Sequence, residues 1–216
     1  FRSFIEQHRC LRELRQQATS ARFVVASGSL PPGAAETFHQ QVVSVCRDVG
    51  ARLVLDTSGC GLRQFTSGVF LLKASVRELR ECAGRELTTR SEQVAAARDI
   101  IAGGRAEIVV VSLGSDGALL ITGSQALWFS AVPMRTVGSG VGAGDAMGAA
   151  STVGLSRDWS LNDAVRYGIA AGAAKLMTPG SQPCARADVE RLFSTAAEPV
   201  VLEDFDGNHI DAASRR

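Results

Sequence analysis

Short apolar runs and helical stretches take turns along this chain, and that alternation constrains its fold more than any other feature. Residues 23–26, 53–55, 69–72 and 108–111 read as buried strands, the last of them rich in β-branched side chains. Between them, 34–49, 76–82 and 92–102 carry helical patterns. Strand, helix, strand repeated in this way predicts an α/β fold, a parallel sheet covered by helices.

The chain opens with an amphipathic helix over 4–17, in which Phe4, Ile5, Cys10, Leu11 and Leu14 fall at helical spacing. A tight turn at 114–117 leads into a strand at 118–121, and 126–129 is expected to pair with it as an antiparallel edge. From Val137 the sequence becomes glycine-rich and then helical, over 146–153, 161–177 and 186–196. The stretch IAAGAAKLM in the second of these helices predicts very close packing, with Lys175 a lone charge that has no assigned role. One domain is expected over 1–196 and a disordered tail over 197–216, frayed most clearly in the polar stretch 203–216.

With 216 residues, 45% of them apolar, the chain is long enough for one sizeable core. Its net charge of +1 is spread over interspersed acidic and basic residues, which argues against nucleic acid or an anionic membrane as a partner. No apolar run approaches the roughly 20 residues of a spanning helix, so a soluble protein is expected. Five scattered cysteines, Cys10, Cys46, Cys60, Cys82 and Cys184, form no CxxC pair and read as reduced thiols in a cytoplasmic protein. His8, His39 and His209 are expected at the surface, and a first residue that is Phe1 suggests that the true start lies upstream.

The chemistry concentrates in Gly138-Ser-Gly-Val-Gly-Ala-Gly-Asp145, four alternating glycines directly before an Ala-rich helix. A helix N-terminus that presents bare backbone N–H groups attracts anions, and glycines without Cβ atoms let a phosphate come close. Asp145 beside such a phosphate is a carboxylate able to take a proton from a substrate hydroxyl, which suggests phosphoryl transfer. The bland rival is an N-capping aspartate in a glycine turn. A Walker A loop is ruled out because Gly-Asp-Ala stands where Gly-Lys-Ser/Thr is needed, and a Rossmann fingerprint because no strand directly precedes the glycines.

VGAGDAMGAA at 141–150 resembles the GAGD signature of the ribokinase/PfkB superfamily, and SGSLPPG at 27–33 resembles a motif of its phosphofructokinase branch. Between them, VVVSLGSDGALL at 109–120 is similar to the family's nucleotide-binding strand and turn, and LKASVRE at 72–78 to its KPNxxE segment. The resemblance runs from about Phe23 to Cys184 and implies a ribokinase-like three-layer α/β/α fold with a mostly parallel central sheet. It implies ATP and Mg²⁺ as cofactors, with K⁺ as a further cation, a sugar phosphate as acceptor and a homodimer for the full-length form.

Carried over by position, the resemblance makes Asp145 the catalytic base and the backbone of Gly142, Ala143 and Gly144 the anion hole. Lys73, Ser75, Ser112, Gly114 and Gly117 match ATP-binding positions, Ser29 a sugar-phosphate contact, and Glu78 the glutamate that organises Mg²⁺ through water. Ser139, Val141, Thr178 and Gly180 match positions whose oxygens hold a monovalent cation.

Two departures bear on activity. Ala74 and Ser75 stand where the family has Pro and Asn, which predicts weaker or water-bridged contacts there. The family's N-terminal third, with several sheet strands, the lid and sugar-binding residues, has no counterpart, which predicts an exposed sheet edge and little kinase activity for this stretch alone. The readings left open are a fructose-6-phosphate kinase, or within the same class a tagatose-6-phosphate or fructose-1-phosphate kinase, and a noncatalytic nucleotide-binding or subunit-interaction module. A dehydrogenase ranks below both, because its glycine loop belongs near the start of a βαβ unit and here comes late.

Overall fold

The computed structural model describes residues 4–35, 37–57, 66–134 and 140–202. Seven strands, β1 (Phe23–Ser27), β2 (Arg52–Asp56), β3 (Val69–Ser75), β4 (Ala106–Ser112), β5 (Ala118–Ile121), β6 (Ala126–Phe129) and β7 (Val200–Val201), join in chain order into one sheet. β1 to β4 pair in parallel and β5, β6 and β7 each pair antiparallel to the strand before. Five of the seven strands, β1 to β4 and β6, therefore run the same way.

Alternate residues of each strand serve opposite faces, and both faces are apolar. Leu53, Leu55, Val109, Val111, Leu119 and Ile121 enter one core. Val54, Ile108, Val110, Ala118 and Leu120 enter the other. Helices α2 (Phe38–Val49), α3 (Val76–Ala83) and α4 (Arg90–Ala102) contribute to the first core, together with Cys10, Leu11 and Leu14 of α1 (Phe4–Ala18). Helices α5 (Ala143–Ser156), α6 (Leu161–Leu176) and α7 (Arg186–Thr195) contribute to the second. The result is the expected three-layer α/β/α arrangement.

Local chemistry sets the helix starts. Ser75 and Glu78 form a capping box at α3, and Thr89 and Glu92 form one at α4; each capping residue is worth about 1 kcal/mol. The small residues of α6 let it approach α5 closely, because a side chain at Gly168 would overlap Ser151 Oγ.

Four expectations change. The helix expected from residue 34 begins at Phe38, because the side chain of Gln7 holds the preceding backbone, donating to Gly33 O at 3.1 Å and accepting from Ala35 N at 3.3 Å. The helix expected from 146 begins at Ala143, so Asp145 lies inside its first turn. β6 is not the edge strand, since Val200–Val201 pair outside it and Leu202 is buried, so the fold continues past residue 196. The tail at 203–216 lies outside the described residues. His39 is buried instead of exposed, because positions 39, 42, 43 and 46 form the inward stripe of α2.

His8 is exposed, whereas His209 lies outside the described residues. Cys10, Cys46, Cys82 and Cys184 are in no disulfide among the described residues, and burial pushes the Cys46 thiol up to about 11; Cys60 lies outside the described residues. Among the described residues no strand pairs with the outer side of β1, the exposed edge expected from the sequence, and Val25 of that strand is 46% exposed. No helix among the described residues is long and apolar enough to cross a membrane.

Candidate active site

Parallel strands bring their C-terminal ends to one margin of the sheet, where ligands of open α/β sheets bind. Here the apolar runs give way to polar residues at that margin. Ser27 on β1 is in register with Asp56 on β2, Asp56 with Lys73 on β3, and Ser75 with Ser112 on β4. The Lys73 ammonium lies 3.0 and 3.2 Å from the two carboxylate oxygens of Asp56, and both side chains are largely buried. Burial pushes the Asp56 carboxyl above its ordinary range, the Lys73 charge and hydrogen bond oppose this, and Glu78 and Asp145 add to the upward push.

The N-terminus of α5 lies over this pair. Gly142 is its N-cap, in the left-handed region at φ 81°, and no side chain caps it. Ala143 N donates to Gly140 O at 3.2 Å, closing the turn, which engages one of the three amides expected in the anion hole. The amides of Gly144 and Asp145 have no acceptor within the helix, as in any first turn. A Cβ at Gly144 would come 2.6 Å from Lys73 Nζ and 4.0 Å from Asp56 Oδ2, so the glycine backbone rests almost on the ammonium. Asp145, on the third residue of the helix, accepts a hydrogen bond from Ser27 Oγ at 2.6 Å through Oδ1.

The structure thus brings Gly142, Ala143, Gly144, Asp145 and Lys73 together, and adds Ser27 and Asp56, which sequence reasoning had not singled out. The signal for both was a polar residue closing an apolar strand at the same end of adjacent parallel strands. Ser29 is exposed in the turn that follows β1. Ser75 and Glu78 are engaged with each other: Glu78 Oε2 accepts from Ser75 N at 2.7 Å and from Ser75 Oγ at 2.9 Å. Among the described residues no three His, Cys, Asp or Glu side chains gather as a metal-ligand set.

Ser112, Gly114 and Gly117 follow on the same margin. Ser112 Oγ reaches Ala74 O at 3.5 Å. Gly117 has φ 93°, and a Cβ there would collide with the Phe129 carbonyl, so packing alone requires this glycine. Thr178 Oγ1 donates to Ala174 O, Gly180 O accepts from Lys175 Nζ, and Val141 is exposed; Ser139 lies outside the described residues.

Residues 4–188 match the pfkB family carbohydrate kinases. The chain is 64% identical over 194 residues to the ATP-dependent 6-phosphofructokinase isozyme 2 of Mycobacterium tuberculosis, covering 90% of this chain and 57% of that protein. It is 35% identical to the 1-phosphofructokinase of Bacillus subtilis, covering 81% of this chain and 55% of that protein. Among solved structures it resembles phosphofructokinase-2 from Escherichia coli in complex with potassium, with a TM-score of 0.78 and 34% identity over 85% of this chain and 61% of that one. The chain therefore spans about three fifths of the length of these relatives.

Proposed function

The chain belongs to the pfkB family of carbohydrate kinases, and from that premise we propose that it is the nucleotide-binding and catalytic part of an ATP-dependent phosphofructokinase acting on fructose 6-phosphate. One observation carries the reading: Asp145, hydrogen-bonded to Ser27, stands in the first turn of a helix whose N-terminus no side chain caps. The acceptor hydroxyl oxygen attacks the γ-phosphorus of ATP, the bond to the ADP oxygen breaks, and the hydroxyl proton passes to Asp145. The amides of Gly144 and Asp145 and the positive end of α5 face the charge on the transferred group.

Lys73 anchors this end of the site beneath Gly144, while Ser112, Gly114 and Gly117 line the margin where the nucleotide lies. Magnesium, when bound, would supply charge neutralisation to the phosphates. Asp56 is paired with Lys73 and Glu78 with its capping box, which favours a metal held through water and phosphate oxygens over one bound directly by several carboxylates. Ser29, exposed beyond Ser27, is in place for a sugar phosphate. The exposed edge at β1 is suited to pairing within a longer chain or a homodimer.

The acceptor rests on the stronger likeness to the 6-phosphofructokinase than to the 1-phosphofructokinase. The test is ATP consumption by the full-length protein with fructose 6-phosphate, fructose 1-phosphate or tagatose 6-phosphate; fructose 6-phosphate is expected to give the highest kcat/KM. A noncatalytic nucleotide-binding module is the second reading, favoured by the engagement of Ser75 and Glu78 with each other. Tight ATP binding with no turnover of any phosphosugar would decide for it.

A further inference from the structure

Among the described residues two charged side chains are buried, Lys73 and Lys175. Asp56 answers the first. Lys175 has no carboxylate partner among the described residues; its Nζ donates to the Gly180 carbonyl at 2.6 Å. It belongs to the last turn of α6, where helix carbonyls favour a cation. Its stem runs beside the N-cap of α5, with Cε 3.2 Å from where a Cβ on Gly142 would stand. The side chain therefore holds the loop after α6 through its ammonium and packs its stem beside the turn that carries the proposed phosphoryl site.

The family resemblance raises a monovalent cation for this neighbourhood, and the E. coli relative was solved in complex with potassium. Among the described residues of that set, Gly180 does not fit one. Such an ion needs several oxygens turned toward one point, but the Gly180 carbonyl already accepts from an ammonium. A second cation at the same carbonyl would meet like-charge repulsion in a buried place.

We infer that Lys175 is a built-in monovalent cation: its ammonium takes the place of K⁺ at the Gly180 carbonyl and positions the Gly142–Asp145 turn. It also adds positive potential behind that turn. The effect on nucleotide rests on the proposed kinase reading, whereas the replacement of the ion by the side chain does not.

The test uses the full-length protein in potassium chloride and in tetramethylammonium chloride at equal ionic strength, with Tm and ATP Kd as readouts and rubidium-soaked crystals for anomalous density. The wild-type protein is expected to have the same Tm and Kd in both salts and no rubidium beside Gly180 O. Lys175→Met keeps the stem and removes the charge. Its Tm is expected to fall and its Kd to rise at least about fivefold, the lower end of typical coupling between two ligand sites, with recovery in potassium only. Rubidium at Gly180 O in the wild-type crystals, or a folded Lys175→Met protein that potassium does not rescue, overturns the inference. If Lys175→Met does not fold, the wild-type crystals and salt comparison decide alone. Salt-insensitive Tm and no rubidium density in a protein that fails to bind ATP would sink the kinase reading and leave the lysine's role standing.

Discussion

Asp56 and Lys73, at the ends of neighbouring strands, form a buried ion pair at 3.0 Å directly beneath the backbone of Gly144. The pair couples the sheet to the glycine turn. Removing Lys73 as Lys73→Met leaves a shielded carboxylate whose upward influences, burial, Glu78 and Asp145, are unopposed. The expected loss at neutral pH is about 2 kcal/mol, below the roughly 3–5 kcal/mol of a fully buried pair, because some water reaches Asp56. A carboxyl raised in the folded state contributes stability below its unfolded pKa and loses it as pH rises through the folded value. The gap between variant and wild type in denaturant unfolding therefore opens from acid toward neutral pH; a gap that closes in that direction would refute the assignment.

Gly144→Ala places a methyl group 2.6 Å from the Lys73 ammonium. The lysine end is flexible and yields, but in yielding it leaves Asp56. We expect a folded protein destabilised by about 1–3 kcal/mol, as overpacking costs, with turnover reduced more than stability. Thermal unfolding and steady-state kinetics on the same sample separate the two effects.

Ser27→Ala removes the donor that holds Asp145 Oδ1. Both residues are exposed, so the effect is that of an ordinary hydrogen bond, and kcat is expected to fall about 3- to 10-fold. The KM for ATP is expected to stay within about twofold, since Ser27 holds the base and not the nucleotide.

Far from the site, Glu92 caps α4 through the amide of Thr89, then the hydroxyl and amide of Thr88, and these bonds lower its carboxyl to about 2. A depressed carboxyl contributes stability above its unfolded value and loses it as pH falls through the folded one. Glu92→Gln is therefore expected to be less stable than wild type at neutral pH, with the difference shrinking from near pH 4.5 toward about 2. Urea unfolding across that window measures it.

The sheet was legible because its strands are apolar enough to be recognised without tertiary information. Helix starts were less so: α2 begins at Phe38 because Gln7, on a different helix, holds residues 33 and 35. α5 begins at Ala143 because Gly142 takes a left-handed conformation that composition does not reveal. Two-residue β7 carries no periodicity to read. At the site, Asp145 and its glycines stood out as a contiguous motif. Ser27 and Asp56 did not, because strand register sets Ser27 beside Asp56 and Asp56 beside Lys73, and the packing of α5 on the sheet brings Asp145 to Ser27. Lys175 stayed without a role for a different reason: its partner is a backbone carbonyl, which side-chain identity does not reveal.

The central claim, that Asp145 is the base of a phosphoryl transfer, is tested most directly by Asp145→Ala in the full-length protein, with fructose 6-phosphate phosphorylation and ATP affinity measured side by side. We predict that kcat falls roughly 100- to 10,000-fold while ATP Kd stays within about threefold. A variant that retains turnover within about threefold of wild type would contradict the account.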